Sequence, residues 1–363
     1  MEGYPKWNGG VSRSPRGRSG RRPVGLSSAE STLGGVHRRG SSPLARMLSC
    51  VSLEEACGAT NEGQMLDYRF RLTRGVLGSD GIELTEQDFR EIQRAKRYQA
   101  LGLRIEENFD LVLLNVRELE RSLLEVSLLR STSPGAVPSL LADARHISNL
   151  RMVNYLTTTR LYLDQASVSL KEVCGPSALE TFSTSRRVEY AACFGYRVME
   201  ALRNYSQHRS LPINQITLVV AKDDAGRDRH QALISINVAE IGSDSEFKVS
   251  VLKELEQKMD SSGHVELLPL LREYTQGLGK LHSQLRETLR SDLEAADQLM
   301  RDVHNRAASE FGRRSPSLLA YKQDQYGFFI EKEYVLETLT ERRKDMEVRN
   351  VGLDRIASRY VSS

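Results

Sequence analysis

No run of 18 or more apolar residues occurs in the 363-residue sequence, so no membrane-crossing helix is expected. The N-terminus has no apolar core of the kind a secretory signal needs. Cysteine is scarce: Cys50, Cys57, Cys174 and Cys193 form neither a CxxC pair nor a short cluster with histidine. That spacing offers no structural zinc site and no disulfide framework, and a reducing cytoplasm is the simplest setting. The histidines His37, His230, His264, His282 and His304 lack a second ligand at helical spacing, so no metal and no cofactor is assigned. His146 reads as exposed or internally satisfied. Phosphate-binding glycine loops are missing too, because Gly277-Leu278-Gly279-Lys280 is too short for a P-loop. There is no GxSxG nucleophile element and no internal repeat.

What is present begins with an uneven charge. Residues 1–46 hold nine Arg or Lys against Glu2 and Glu30, a net of +7. The rest of the chain holds 42 basic and 46 acidic residues, a net of −4, so any basic site in the folded part must be local. Residues 1–46 are rich in Gly, Ser, Arg and Pro and bury too little apolar area to offset the entropy of ordering, so disorder is expected there. Three readings stay open for this tail: a start codon assigned upstream of Met47 or a dispensable extension, an electrostatic tether for RNA, and an organelle transit peptide.

From residue 47 to 84 the sequence predicts a short strand-containing segment, with Leu66, Tyr68, Phe70 and Leu72 alternating along 65–73. Ser79-Asp80-Gly81 supplies a turn, and Thr85 with Asp88 caps a helix reaching about residue 130. Its apolar stripe is Leu101, Ile105, Phe109, Val112, Val116, Leu119, Leu123 and Val126, ended by Pro134, Gly135 and Pro138. A second helix is expected from about Ser139 to Val173, with a seam at Leu150, Thr157, Leu161 and Val168 that also takes in Asn154 and Asp164. A third is expected from about Thr184 to His208, stopping ahead of Pro212. Strands over 215–222 and 231–241 are joined through Gly226, and the strand at 65–73 is a candidate to complete their sheet. Helices follow at about 245–260, 265–312 and 330–360; the charged stretch ERRKDMEVRN in the last reads as solvated or coupled to a partner.

The residues able to carry chemistry sit at the end of the third helix. Asn204 and His208 are four apart and share a face, and Arg203 lies about 140° around from His208, within reach of a long guanidinium. The helix dipole favours a protonated imidazole at that end. Arg203 is thus a candidate phosphate clamp, Asn204 an orienting amide and His208 a proton-exchanging group. Tyr205 is a candidate to stack a base, against the plainer reading that it packs, and Arg209 a candidate substrate contact. Asn149, Asn154, Arg160 and Asp164 read as a buried polar network that fixes helix register, with a nucleotide pocket as the rival reading.

The segment ALRNYSQHRSLPI, residues 201–213, resembles the signature helix of HEPN-type helical bundles, in which Arg and a polar residue precede His by a few positions. The upstream ISNLRMVNYLTTTRLYLDQ, residues 147–165, is similar to bacterial proteins that carry that signature. The resemblance spans about residues 85–213. It implies a HEPN-like antiparallel helical bundle over 85–213; the residue pattern adds a β-hairpin over 214–242 and a helical C-terminal region over 243–363 that the resemblance does not explain, for a mainly α fold in all. It further implies a metal-independent ribonuclease acting on RNA through Arg203, Asn204 and His208, with a homodimer as the functional unit. The alternative is a non-catalytic helical interaction or scaffold module, such as a toxin–antitoxin or defence-associated subunit.

Overall fold

The computed structural model describes residues 68–74, 81–133 and 137–359. The basic tail 1–46, residues 47–67 and the turn at Ser79-Asp80 lie outside the described residues, as does the break at Pro134-Gly135. The chain is mainly helical with two small antiparallel sheets.

Strands β1 (Arg69–Thr73) and β2 (Ile82–Leu84) precede the helix α1 (Glu86–Thr132). The capping box expected at Thr85 is present: its hydroxyl accepts from Asp88 N–H at 3.0 Å, and the Asp88 carboxylate accepts from Thr85 N–H at 2.9 Å. All eight residues of the predicted stripe are buried. Helix α2 (Val137–Cys174) returns antiparallel, with Arg104, Asn108 and Asn115 donating to Ser169, Gln165 and Thr158 in turn.

The seam predicted on α2 has the right period and the wrong phase. Leu150, Leu161 and Val168 are about half exposed, and Thr157 faces solvent. Met152, Tyr155, Tyr162 and Leu163 are buried instead. The tyrosines decide the phase, because a large ring gains most from burial once its hydroxyl has a partner. Tyr155 meets the Thr275 hydroxyl at 2.9 Å, and Tyr162 meets His282 at 3.0 Å.

The expected third helix is two. Helix α3 (Pro176–Ala192) starts after Gly175, whose φ of 86° suits glycine, and helix α4 (Phe194–His208) follows a break at Cys193. The break lets Gly195 come against the helix α7 (Leu267–Phe311), where a Cβ would stand 2.4 Å from the Leu270 carbonyl oxygen. There the Gly195 N–H donates to Glu273 at 3.0 Å, and the Cys193 sulfur accepts from Tyr196 N–H.

Strands β3 (Gln215–Lys222) and β4 (Asp228–Asn237) form the expected hairpin. The second strand stops at Asn237, whose side chain accepts from Glu240 N–H to cap the short helix α5 (Val238–Gly242). Helix α6 (Val249–Glu256) and strand β5 (His264–Glu266) lead into α7. It is β5, rather than β1, that completes the hairpin's sheet, pairing Ser235 with Glu266.

The C-terminal region departs most from expectation. Strands β6 (Ser317–Gln323) and β7 (Phe329–Leu336) join β1 and β2 in a sheet of order β2-β1-β6-β7, with Leu72 opposite Ala320. Part of the helix expected over 330–360 is therefore strand, and its charges face α1: Glu333 takes Lys96 at 2.6 Å, and Glu331 takes Gln93 at 2.8 Å. Helix α8 (Thr338–Arg349) covers part of the charged stretch, and a 3-10 helix (Leu353–Ser358) ends the described chain. The partner of that charged stretch is internal, since Arg343, 5% exposed, donates to Asp297 on α7 at 2.6 Å. The glycines of Gly277-Leu278-Gly279-Lys280 have a packing role, because a Cβ on Gly279 would stand 3.0 Å from the Leu353 backbone.

Candidate active site

Helix α4 is strongly two-sided. Tyr196, Val198, Met199, Leu202 and Tyr205 are buried, while Asn204, Gln207 and His208 face solvent. Its first half lies on α7, with Tyr196 edge-on to Tyr274 at 4.6 Å between ring centroids. Arg197 reaches Glu254 of α6 with two bonds of 3.0 and 2.5 Å. Beyond His208 the chain is fastened to α2: the buried Asn149 accepts from Ile213 N–H and donates to its carbonyl, both at 2.9 Å. The α4 terminus is therefore held from both sides.

Of the candidate residues, Arg203, Asn204 and His208 come out on this terminus. Arg203 is half-buried and donates through Nη1 to Asn204 Oδ1 at 3.1 Å, while its Nε is buried without an acceptor. Asn204 is exposed one turn before His208, which is also exposed and makes no hydrogen bond or ion pair with the described residues.

The two substrate-contact candidates are placed differently. Tyr205 is 7% exposed and packs edge-on against Phe247 at 6.2 Å, so its ring is not open to a base. Burial also pushes its phenol up. Arg209 is held by Asp244 at 3.2 Å and Glu246 at 2.9 Å, and two carboxylates already balance its charge.

The four polar residues suggested for α2 do not form one network. Asn149 is buried and binds backbone, whereas Arg160 and Asp164 make an outward pair of 2.7 Å. Among the described residues, no group of three or more His, Cys, Asp or Glu side chains is placed to hold a metal ion, and no helix is long and apolar enough to cross a membrane.

Two groupings were not anticipated from the sequence. One is a buried chain of polar groups linking α1, α2 and α7. The Tyr162 hydroxyl donates to His282 Nδ1, His282 Nε2–H donates to Glu106 at 3.2 Å, and Arg286 donates to both Glu106 oxygens at 2.7 and 2.6 Å. This tautomer follows from the partners, because an ionised Glu106 only accepts and a protonated phenol can donate. Burial pushes His282 down, keeping it neutral, and pushes Tyr162 well up. Burial alone would raise Glu106, but Arg286 and His282 hold it down at about 2. The second grouping is a cleft between α3 and α4 that contains Arg186, Tyr196 and Glu200. The spacing of Tyr196, Glu200 and Arg203, four and three residues apart, was the available signal for it.

Comparison of the chain with protein families, with curated proteins and with solved structures returned no match.

Proposed function

We propose that this chain binds RNA at the C-terminal end of α4 and cleaves it without a metal, as its resemblance to HEPN-type bundles implies. The supporting observation is the bond from Arg203 to Asn204 beside an exposed His208 whose side chain has no hydrogen-bond or ion-pair partner among the described residues. In this reading Arg203 takes the non-bridging oxygens of a phosphodiester, and Asn204 steers the guanidinium. The His208 imidazole accepts the proton of the ribose 2′-hydroxyl as that oxygen attacks phosphorus. The bond to the 5′-oxygen breaks, leaving a 2′,3′-cyclic phosphate and, once protonated, a 5′-hydroxyl. One protomer supplies one such imidazole, so the acid that protonates the leaving oxygen would come from a second copy in a homodimer.

The test is cleavage of RNA in EDTA by wild type and His208→Ala. General acid–base catalysis contributes about 10²–10⁴-fold, so His208→Ala should lose at least about a hundredfold in rate. Because His208 is exposed and unbonded, its melting temperature should not move. No cleavage by wild type, or equal cleavage by the variant, rejects the reading.

A second reading, a helical interaction module without catalysis, draws on a different observation. Ile147, Leu150, Leu161 and Val168 on α2, with Leu111 and Leu114 on α1, are 44–56% exposed. Apolar side chains grouped in this way favour a protein partner. Light scattering on the inactive sample would report whether that partner is a second copy.

A further inference from the structure

Between α3 and α4 lies a cavity of about 550 Å³, lined by Ser183, Arg186, Arg187 and Tyr190 from α3 and by Tyr196 and Glu200 from α4. Two of its donors lack acceptors. Tyr196 is 2% exposed, and among the described residues its hydroxyl finds no acceptor; the Arg186 guanidinium, itself a donor, is its polar neighbour. The Arg186 Nε is buried and unbonded, and among the described residues no carboxylate pairs with that guanidinium. The acids close by are engaged elsewhere: Glu200 accepts from the Tyr274 hydroxyl at 2.8 Å, and Glu189 lies 3.8 Å from Lys280 Nζ. Burial first, and then the Glu200 charge, push the Tyr196 phenol up to about 12, against a smaller pull from Arg186. The phenol is therefore a donor at neutral pH. Buried donors without acceptors cost free energy, and an arriving oxyanion would satisfy both.

We propose that this cleft is a phosphate-binding subsite. Arg186 and Arg187 take the non-bridging oxygens of one phosphate, and the Tyr196 hydroxyl donates to the same group. Arg187 is at the exposed mouth, where it donates to Thr184 on its own helix at 3.0 Å. The choice of a nucleic-acid phosphate rests on the RNA reading above. Tyr196, Glu200 and Arg203 share one face of α4, with Tyr196 and Arg203 about 10 Å apart along the axis. A strand with one phosphate at Arg203 thus carries others toward the cleft.

The test measures binding of a 5′-phosphorylated 2′-O-methyl oligoadenylate, which 2′-hydroxyl attack cannot cut, beside AMP and inorganic phosphate. The full chain is compared with Arg186→Gln and Tyr196→Phe by calorimetry, with melting curves recorded on the same samples. Arg186→Gln should weaken binding of the oligonucleotide about tenfold or more and flatten its logarithmic salt dependence by about 0.7. Tyr196→Phe should weaken binding several-fold without lowering the melting temperature, because it removes an unmet donor. A purely structural pair gives the opposite pattern, a lower melting temperature with unchanged binding. That pattern, or no binding of any of the three probes by wild type, overturns the proposal. Affinity for AMP equal to that for the oligonucleotide supports the site and assigns a free nucleotide; affinity for the oligonucleotide alone supports it and assigns a strand. If His208→Ala cleaves RNA like wild type, the nuclease reading falls, and the Arg186→Gln binding result still judges the cleft.

Discussion

Glu106→Gln tests the buried chain from Tyr162 to Arg286. The carboxylate side chain is 2% exposed and accepts from His282 and, twice, from Arg286. Its ionisation falls from an ordinary 4.5 to about 2 in the folded chain. That difference corresponds to about 3 kcal/mol of folding free energy at neutral pH. An independent route gives a similar size. Removing one partner of a buried ion pair costs about 3–5 kcal/mol, and the one-fifth exposure of Arg286 argues for the lower end. The sign in pH follows from the direction of the shift. A carboxylate held down in the folded state contributes fully above its unfolded value near 4.5, and the contribution is lost as pH falls toward about 2. Urea unfolding of both proteins should therefore show a gap of about 3 kcal/mol at pH 7, with close to half of it gone at about pH 3.5. The neutral His282 loses stability on acidification from about pH 6.5 downward as burial resists its charging, so the difference between proteins is the quantity to follow. A gap below about 1 kcal/mol at pH 7, or one that does not shrink in acid, would falsify the claim that Glu106 is ionised and paired inside the bundle.

Two other predictions concern packing. Leu161→Lys should change unfolding free energy by no more than about 0.5 kcal/mol, whereas Leu163→Lys, at a fully buried site two residues on, should prevent cooperative folding. Circular dichroism with thermal melts separates the two, and equal damage would mean that the α2 phase is misplaced. Gly195→Ala should cost about 1–3 kcal/mol in urea unfolding, because its Cβ would meet the Leu270 carbonyl oxygen at 2.4 Å and Glu273 Cβ at 2.7 Å. A neutral result would show that α4 can move off α7 without loss.

Where apolar periodicity was unambiguous, as from Leu101 to Val126, the sequence was enough to place a helix face. On α2 two apolar stripes compete, and periodicity alone does not rank them. The ranking came from Thr275 and His282, more than a hundred residues away, which give the buried tyrosine hydroxyls their partners. The break at Cys193 was hidden for a similar reason, since the contact that demands Gly195 belongs to α7. The β7 segment, expected as helix, pairs as a strand whose Glu331 and Glu333 meet Gln93 and Lys96 of α1, a contact the local pattern does not contain. Likewise, the motif at Arg203 was readable as spacing along one helix. The cleft at Arg186 needs α3 and α4 folded against each other, and no single stretch contains it.

The choice between a helix-end cap and a chemical role for His208 turns on what its neighbours do. A structural cap would use its ring on the last carbonyls of α4, as cationic side chains near that end often do. In that last turn the Tyr205 oxygen takes Arg209 N–H at 2.9 Å, and the Ser206 hydroxyl reaches the Arg203 oxygen at 2.9 Å. The turn is also kept from fraying by Asn149 on Ile213 beyond it and by the Arg209 pair with Asp244 and Glu246. A side chain on a pinned backbone can be aimed well enough for proton transfer, which tolerates little misplacement. His208 has that pinned backbone, an open side and, among the described residues, no side-chain hydrogen bond or ion pair, which is the arrangement the proposed proton transfer needs.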